Sequence, residues 1–251
     1  MRTVTATRYV TPLREGGSLP AIVEADDDGL YVCKFREAGQ GPKALSAELV
    51  IGEVGRALGL PVPEIVLVDL DPALAHAEPD PEIQDLIAAS AGLNLALDYL
   101  PGSLAFDPET GAELDPVLAA SVVWLDALAM NVDRTPRNPN LILWHGRVWL
   151  IDHGAALYLQ HRSDPLPAQA GRAFPAIAHH VLLPYAAPIG EVDAELAGRL
   201  DPEEVRAITA QIPEPWLDGA DADAYADFLL ARLDAPRTFA EEAERARAAR
   251  P

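Results

Sequence analysis

Cysteine is almost absent from this chain. Cys33 is the only one in 251 residues, so neither an intramolecular disulfide nor a thiolate zinc cluster can form. That usage fits a reducing cytoplasm. No apolar run is long enough to span a bilayer: the most apolar stretch, Leu118 to Met130, is interrupted by Asp126. The first residues carry Arg2 and Arg8 without an apolar h-region, so no secretory signal is expected. Positive charge is scarce, with 19 Lys and Arg against 39 Asp and Glu, a net charge of −20. Such a surface repels phosphate backbones and anionic lipid, so neither nucleic acid nor membrane is an expected partner, and in its plain reading it serves solubility. A Gly-x-x-x-x-Gly-Lys-Ser/Thr loop is missing, which excludes a Walker-type phosphate site. Ser121 has no His or acid in a triad pattern, which leaves hydrolase chemistry unsupported.

What is present is alanine-rich, helix-favouring and punctuated by 23 prolines, most of them between periodic segments. The length suffices for one large domain or two lobes. Residues 4–10 and 20–24 read as strands, Asp26-Asp27-Asp28-Gly29 as a hairpin turn, and Leu30 to Phe35 as a third strand. Lys43 to Leu58 has helical spacing, with Leu45, Leu49, Val50, Val54 and Leu58 on one face and Gly59 and Pro61 as stop signals. A strand at Ile65–Leu70 and a short helix at Pro81–Ser90 follow. Leu93–Leu97 marks the junction between a strand-rich first half and a helical second half. Val117 to Met130, apolar nearly all round, reads as a buried helix. Short strands Leu141–Trp144 and Arg147–Ile151 flank His145-Gly146, and helices are expected near 203–211, 222–233 and 239–249.

The most informative stretch is Asn131-Val132-Asp133-Arg134-Thr135-Pro136-Arg137-Asn138-Pro139-Asn140, with Ile151-Asp152-His153-Gly154 downstream. It places an Asp, an Asn five residues on and a second Asp nineteen residues on. Phosphoryl transfer from ATP needs one carboxylate facing the incoming hydroxyl, and an amide with another carboxylate holding magnesium on the phosphates. Asp133, Asn138 and Asp152 fit those three tasks. Arg134 and Arg137 either neutralise phosphate or pair with nearby carboxylates. A surface turn rich in Asn, Asp and Pro is the competing reading. It does not explain two arginines, three asparagines and an aspartate held between an apolar helix and an apolar hairpin.

Upstream, Arg14, Gly16, Gly17 and Ser18 form a candidate clamp on phosphates, since glycines let a backbone approach closely; taken alone, Gly-Gly-Ser reads first as a hairpin turn. Lys34 lies in the apolar strand Tyr31-Val32-Cys33-Lys34-Phe35, where alternation sets Val32, Lys34 and Arg36 opposite Tyr31, Cys33 and Phe35. It is either an edge-strand lysine in solvent or the partner of a helix glutamate, which would hold it on the α- and β-phosphates. Glu48, mid-helix among apolar neighbours, is the first choice of partner, and Glu53 the second. His179-His180 has no third ligand at metal spacing, so His180 is expected to cap or pack beside Val181-Leu182-Leu183. Asp126 is expected to hydrogen-bond the Asp133 loop in a structural role, and Trp124, Trp144, Trp149 and Trp216 to be core residues.

Asp133-Arg134 with Asn138, and Ile151-Asp152-His153-Gly154, resemble the catalytic and metal-binding loops of HipA-like kinases, distant relatives of protein kinases and phosphatidylinositol kinases. Pro12-Leu13-Arg14-Glu15-Gly16-Gly17-Ser18-Leu19-Pro20, Val32-Cys33-Lys34-Phe35 and Gly39-Gln40-Gly41-Pro42-Lys43-Ala44-Leu45 resemble a bacterial subgroup of that family, over roughly residues 5–235. The resemblance implies an α+β, bilobal protein-kinase-like fold. It has a small antiparallel-sheet N-lobe (1–97) and a mainly helical C-lobe (98–251), together one kinase-like domain. It implies ATP and magnesium, Lys34 and Glu48 as ion pair, Asp133 as catalytic residue, and Asn138 and Asp152 on metal. The adenine is expected against Leu97-Asp98-Tyr99-Leu100, and the acceptor to be a Ser/Thr hydroxyl of a protein. His153 stands where better-known kinases have Phe, Asn131 where they have His, and no long activation segment follows Asp152. The alternatives are a small-molecule kinase of antibiotic-phosphotransferase type and a pseudokinase that senses nucleotide or acts as a scaffold.

Overall fold

The computed structural model describes residues 1–13, 19–108, 114–217 and 219–250. Its first strands follow the alternation in the sequence. β1 (Thr3–Pro12), β2 (Ala21–Ala25) and β3 (Leu30–Lys34) are joined antiparallel, with the Asp26–Gly29 turn placing Asp28 at φ +63°. β3 pairs with β5 (Gly92–Asp98), and β5 with β4 (Ile65–Leu70). β4 then runs parallel to β1, matching Thr3, Val4 and Thr5 to Leu67, Val68 and Asp69. The sheet is therefore a closed five-stranded barrel, which corrects the expected small antiparallel sheet. An open sheet would leave β1 and β4 as bare edges, and the parallel pairing removes both. Two register shifts between β1 and β2, at Ala6/Arg8 and Tyr9/Thr11, bend β1 round to its distant partner.

Val4, Val23, Tyr31, Cys33, Val66, Val68 and Ala96 fill the barrel, and α2 (Pro81–Ala89) adds Ile83 and Ile87 to that core. Burial pushes the Cys33 thiol up to about 12, leaving it inert. The opposite face of the sheet, with Ile65, Leu95 and Leu97, shares a core with α1 (Pro42–Ala57). That helix lies close against β4: a Cβ on Gly52 would stand 2.4 Å from Ile65 Cδ1. Glycine at 52 thus fixes the depth at which α1 presents its middle turns.

The prolines act as punctuation. Pro42, Pro81, Pro116 and Pro202 each stand at a helix start, where the missing N–H costs nothing. Asp80, Asp115 and Asp201 cap three of those helices with side-chain oxygens. α3 (Pro116–Ala129) is buried along most of its length and is the axis of the helical part. Around it lie α4 (Ile189–Arg199), α5 (Pro202–Thr209), α6 (Ala222–Leu233) and α7 (Thr238–Ala248). α4 is not among the elements expected from the sequence. Arg232 ties α6 to the end of α3 by donating to the carbonyls of Ala127 and Leu128, and burial lowers its guanidinium to about 10. β6 (Leu104–Ala105), β7 (Leu141–Trp144) and β8 (Arg147–Leu150) form a small second sheet that carries the loops considered next. No helix among the described residues is long and apolar enough to cross a membrane.

Candidate active site

Strand alternation turns Lys34, at the end of β3, away from the barrel interior that Cys33 enters. Its Nζ donates to Glu48 Oε2 at 2.7 Å and to Asp152 Oδ1 at 2.6 Å. Three residues from a strand, a helix and a loop, up to 118 positions apart, thus meet at one ammonium. Glu53 pairs with Arg56 at 3.5 Å, so Glu48 is the partner of Lys34. Glu48 is fully buried and Lys34 nearly so, whereas the Asp152 side chain is 40% exposed. His153, fully buried, sets its Nδ1 3.5 Å from Glu48 Oε1. Asp152 follows β8 with φ +55°, a left-handed conformation that costs a non-glycine residue strain and is common where a side chain is aimed for function.

Burial alone would raise the Glu48 carboxyl, but Lys34 and then His153 outweigh it and hold it at about 2. Lys34 is opposed by its own burial too, yet Glu48 and Asp152 leave it above its ordinary value. A carboxyl depressed on folding contributes stability that is complete above its unfolded value and lost as pH falls through the folded one. For Glu48 that window runs from 4.5 down to about 2. The raised lysine loses its share above 10.5. Urea unfolding as a function of pH should therefore show stability falling below pH 4.5, with a shallower fall in Glu48→Gln. An unchanged slope in that variant would contradict the assignment.

The second constellation is the loop after α3. Thr135 and Asn138 exchange main-chain bonds, closing a tight turn with Pro136-Arg137 at its tip. Asn138 Nδ2 donates to Asp133 Oδ2 at 2.7 Å, and Asn140 Nδ2 donates to the same oxygen at 3.2 Å. Asp133 N–H donates to Asn131 Oδ1 at 3.1 Å. The carboxylate is thus held by one oxygen. Sequence reasoning passed over Asn140, whose signal was its place immediately before an apolar strand, matching Asn138 across Pro139. Arg134 is not available to phosphate. It is buried, and its Nε donates to Asp126 Oδ2 at 2.5 Å. Asp126 and His180 both take part in this buried contact, and among the described residues no metal cluster includes the adjacent histidines 179 and 180. Arg137 is exposed.

Of the segment expected to meet the adenine, the Asp98 N–H is taken by Glu64 O at 2.8 Å and the Tyr99 N–H by Leu30 O at 2.9 Å. The Leu100 N–H makes no backbone hydrogen bond among the described residues. A cavity of about 1030 Å³ lies against the same segment, lined by Glu64, Asp98, Leu118, Trp144 and Trp149. None of Lys34, Glu48, Asp133 or Asp152 lines it, so it is separate from the Lys34 ion pairs. Trp124 and Trp216 are buried in the core, as expected, and Trp144 and Trp149 are half-buried. Arg14, Gly16, Gly17 and Ser18 lie outside the described residues. On either side of them, Leu13 N–H donates to Pro20 O at 2.7 Å.

A sequence profile of the HipA-like kinases matches residues 7–236. The chain belongs to the HipA-like kinases. Membership makes phosphotransfer of the kinase type its activity class. The fold of this HipA-like kinase is similar to that of the proinflammatory kinase CtkA of Helicobacter pylori, with a TM-score of 0.57 and 14% identity over 98% of both chains. It is also similar to the Golgi casein kinase with Mn and ADP bound, with a TM-score of 0.55 and 12% identity over 98% of this chain and 74% of that one. At such identities the likeness is one of fold. No curated protein matches the chain in sequence.

Proposed function

We propose that this HipA-like kinase transfers the γ-phosphoryl group of ATP, with magnesium, to a Ser or Thr hydroxyl of a protein. The observation that carries the reading is the meeting of Lys34, Glu48 and Asp152 at one ammonium, beside a loop that fixes Asp133 through Asn138 and Asn140. In this reading residues 1–97 and 98–251 act as two lobes of one kinase-like domain, with the nucleotide between them. Lys34, freed from Asp152, binds the α- and β-phosphates while Glu48 holds it. Arg14, Gly16, Gly17 and Ser18 serve as the clamp on the phosphates, and the segment Asp98-Tyr99-Leu100 reads the adenine through the Leu100 N–H.

The donors suit magnesium. No group of three or more His, Cys, Asp or Glu side chains converges among the described residues, so an all-protein cage is not supported. Magnesium takes one or two carboxylates and completes its shell with water and phosphate oxygens. Asp152 offers a carboxylate, and Asn138 an amide oxygen, its Nδ2 being spent on Asp133. The bound ion supplies charge neutralisation of the phosphates. The structure of similar fold with Mn and ADP supports nucleotide and divalent metal here, and its designation as a casein kinase supports a protein acceptor.

Asp133 orients the acceptor hydroxyl and takes its proton as the oxygen attacks the γ-phosphorus. The bond from that phosphorus to the β,γ-bridging oxygen breaks, and ADP leaves. Asn138 and Asn140 keep the carboxylate turned so that its other oxygen faces the hydroxyl. A small-molecule acceptor is the second reading, favoured by the net charge of −20, which suits a cationic substrate. The test is incubation with γ-labelled ATP and magnesium, alone and with a cell lysate, followed by mass spectrometry. Phosphoserine or phosphothreonine on protein is the expected result. Label only in small molecules supports the second reading, and no magnesium-dependent loss of ATP overturns both.

A further inference from the structure

The Asp126 contact reaches both the loop that carries Asp133 and the segment that carries Asp152. Asp126 lies in α3, is fully buried, and uses each carboxylate oxygen. Oδ1 accepts from Asn131 Nδ2 at 3.0 Å; Oδ2 accepts from Arg134 Nε at 2.5 Å and from His180 Nε2 at 2.8 Å. The Arg134 guanidinium continues outward. Its Nη1 donates to Asn140 O and, at 3.3 Å, to Ile151 O, the carbonyl immediately before Asp152. Ile151 N–H donates to the same Asn140 carbonyl at 3.1 Å. Asn131 and Asn140 both bond Asp133. One buried carboxylate is thus linked to Asp133 by two routes and to Asp152 by a third.

His180 stands 54 residues from Asp126 and outside every motif of the reaction. Leu182 N–H donates to its Nδ1 at 3.0 Å, so the ring hydrogen is on Nε2 and points to Asp126. Val181 N–H donates to Arg134 O at 3.1 Å, so the same segment also grips the loop by its backbone. Burial holds the His180 ring below its ordinary value, against the pull of Asp126, which keeps it neutral. Simple packing at this position would need shape alone, not a ring with one nitrogen accepting and the other donating.

We propose that His180 is a positioning residue: by holding Asp126 it sets Arg134, and through Arg134 the mutual placement of Asp133 and Asp152 on which the metal–nucleotide complex depends. The metal readout of the test rests on the nucleotide reading above, whereas its exchange readout rests on the nucleotide-free geometry alone. His180→Gln carries an amide N–H to the position of Nε2, whereas His180→Asn can still accept from Leu182 but falls short of Asp126. The two are compared by calorimetric titration of ADP with and without Mn²⁺, and by hydrogen exchange of residues 138–152 in the nucleotide-free protein. The expected result for His180→Asn is a loss of about tenfold or more in the metal-dependent gain in ADP affinity, as for partners that orient metal ligands. Metal-free ADP affinity should be unchanged and residues 138–152 should exchange faster, with His180→Gln behaving as the wild type. Wild-type metal dependence and exchange in His180→Asn would overturn the proposal. So would an equal loss of ADP affinity with and without metal. If His180→Asn does not fold, Arg134→Lys is read the same way, since it keeps the charge beside Asp126 without a fork for two carbonyls. A wild type that binds no metal–ADP defeats the nucleotide reading, and the exchange result then decides this proposal by itself.

Discussion

Asp152→Asn is expected to lower magnesium-dependent ATP turnover by roughly 10²–10³-fold, the loss seen when one transition-state charge contact is removed. The substitution keeps the shape of the side chain and removes its charge. The left-handed backbone at 152 is one that Asn adopts as readily as Asp, so the turn survives. Lys34 keeps Glu48, which is buried and already 2.7 Å away, so the ammonium is not left unpaired. The Asp152 side chain is 40% exposed, and its loss uncovers no core. The expected signature is a fall in kcat at a nearly unchanged melting temperature. Near-normal turnover would remove Asp152 from the metal, and a parallel collapse of stability would show a structural role instead.

The largest effect on stability is expected at Asp126. Asp126→Ala should cost about 3–5 kcal/mol, the range for removing one partner of a buried ion pair. Asp126 and Arg134 both have fully buried side chains, so the guanidinium would remain without water and without its counter-charge. His180 and Asn131 would lose their acceptor in the same step. Burial alone would raise the Asp126 carboxyl, but Arg134 and then His180 hold it below its ordinary range, so its contribution is present at neutral pH and lost in acid. Against a total stability of ~5–15 kcal/mol for a natural domain, that is a large fraction. Urea unfolding at pH 7 measures it. Asp126→Asn, which keeps an acceptor for Arg134, should lose less. A cost for Asp126→Ala within the ~0.5 kcal/mol typical of surface substitutions would contradict the account of the buried contact.

Local pattern carried much of this architecture, and its failures share a cause. Alternation in Tyr31–Phe35 separates Lys34 from the barrel interior, and the apolar run before Asp133 marks α3; both are properties of neighbours in sequence. The parallel pairing of β1 with β4 has no such signature, because no short turn announces it and the partners are more than 60 residues apart. α4 fully buries Ile189, Val192 and Leu196 alone, with Gly190 and Gly198 inside it and no side-chain cap, so its periodicity is faint. At the candidate site, Glu48 and Glu53 differ by five positions on one helix, which is enough to set them on different faces. The structure pairs Lys34 with the first. Arg134 reads in sequence as a cation that either neutralises phosphate or pairs with a nearby carboxylate, and the fold decides for the second by burying it on Asp126. The third member, His180, comes from a segment that no spacing rule connects to either. Arg14, Gly16, Gly17 and Ser18, as the phosphate clamp, stay a proposal that rests on the sequence.

In the proposed reading Lys34, Asp133, Asn138 and Asp152 serve transfer of the terminal phosphoryl group. The most direct measurement compares ATP labelled at the γ-phosphorus with ATP labelled at the α-phosphorus, incubated with magnesium, an acceptor-containing lysate, and either wild type or Asp133→Asn. Label is expected on the acceptor from the γ-position only, dependent on magnesium and absent with Asp133→Asn. Label arriving from the α-position, or equal γ-label with Asp133→Asn, would contradict it.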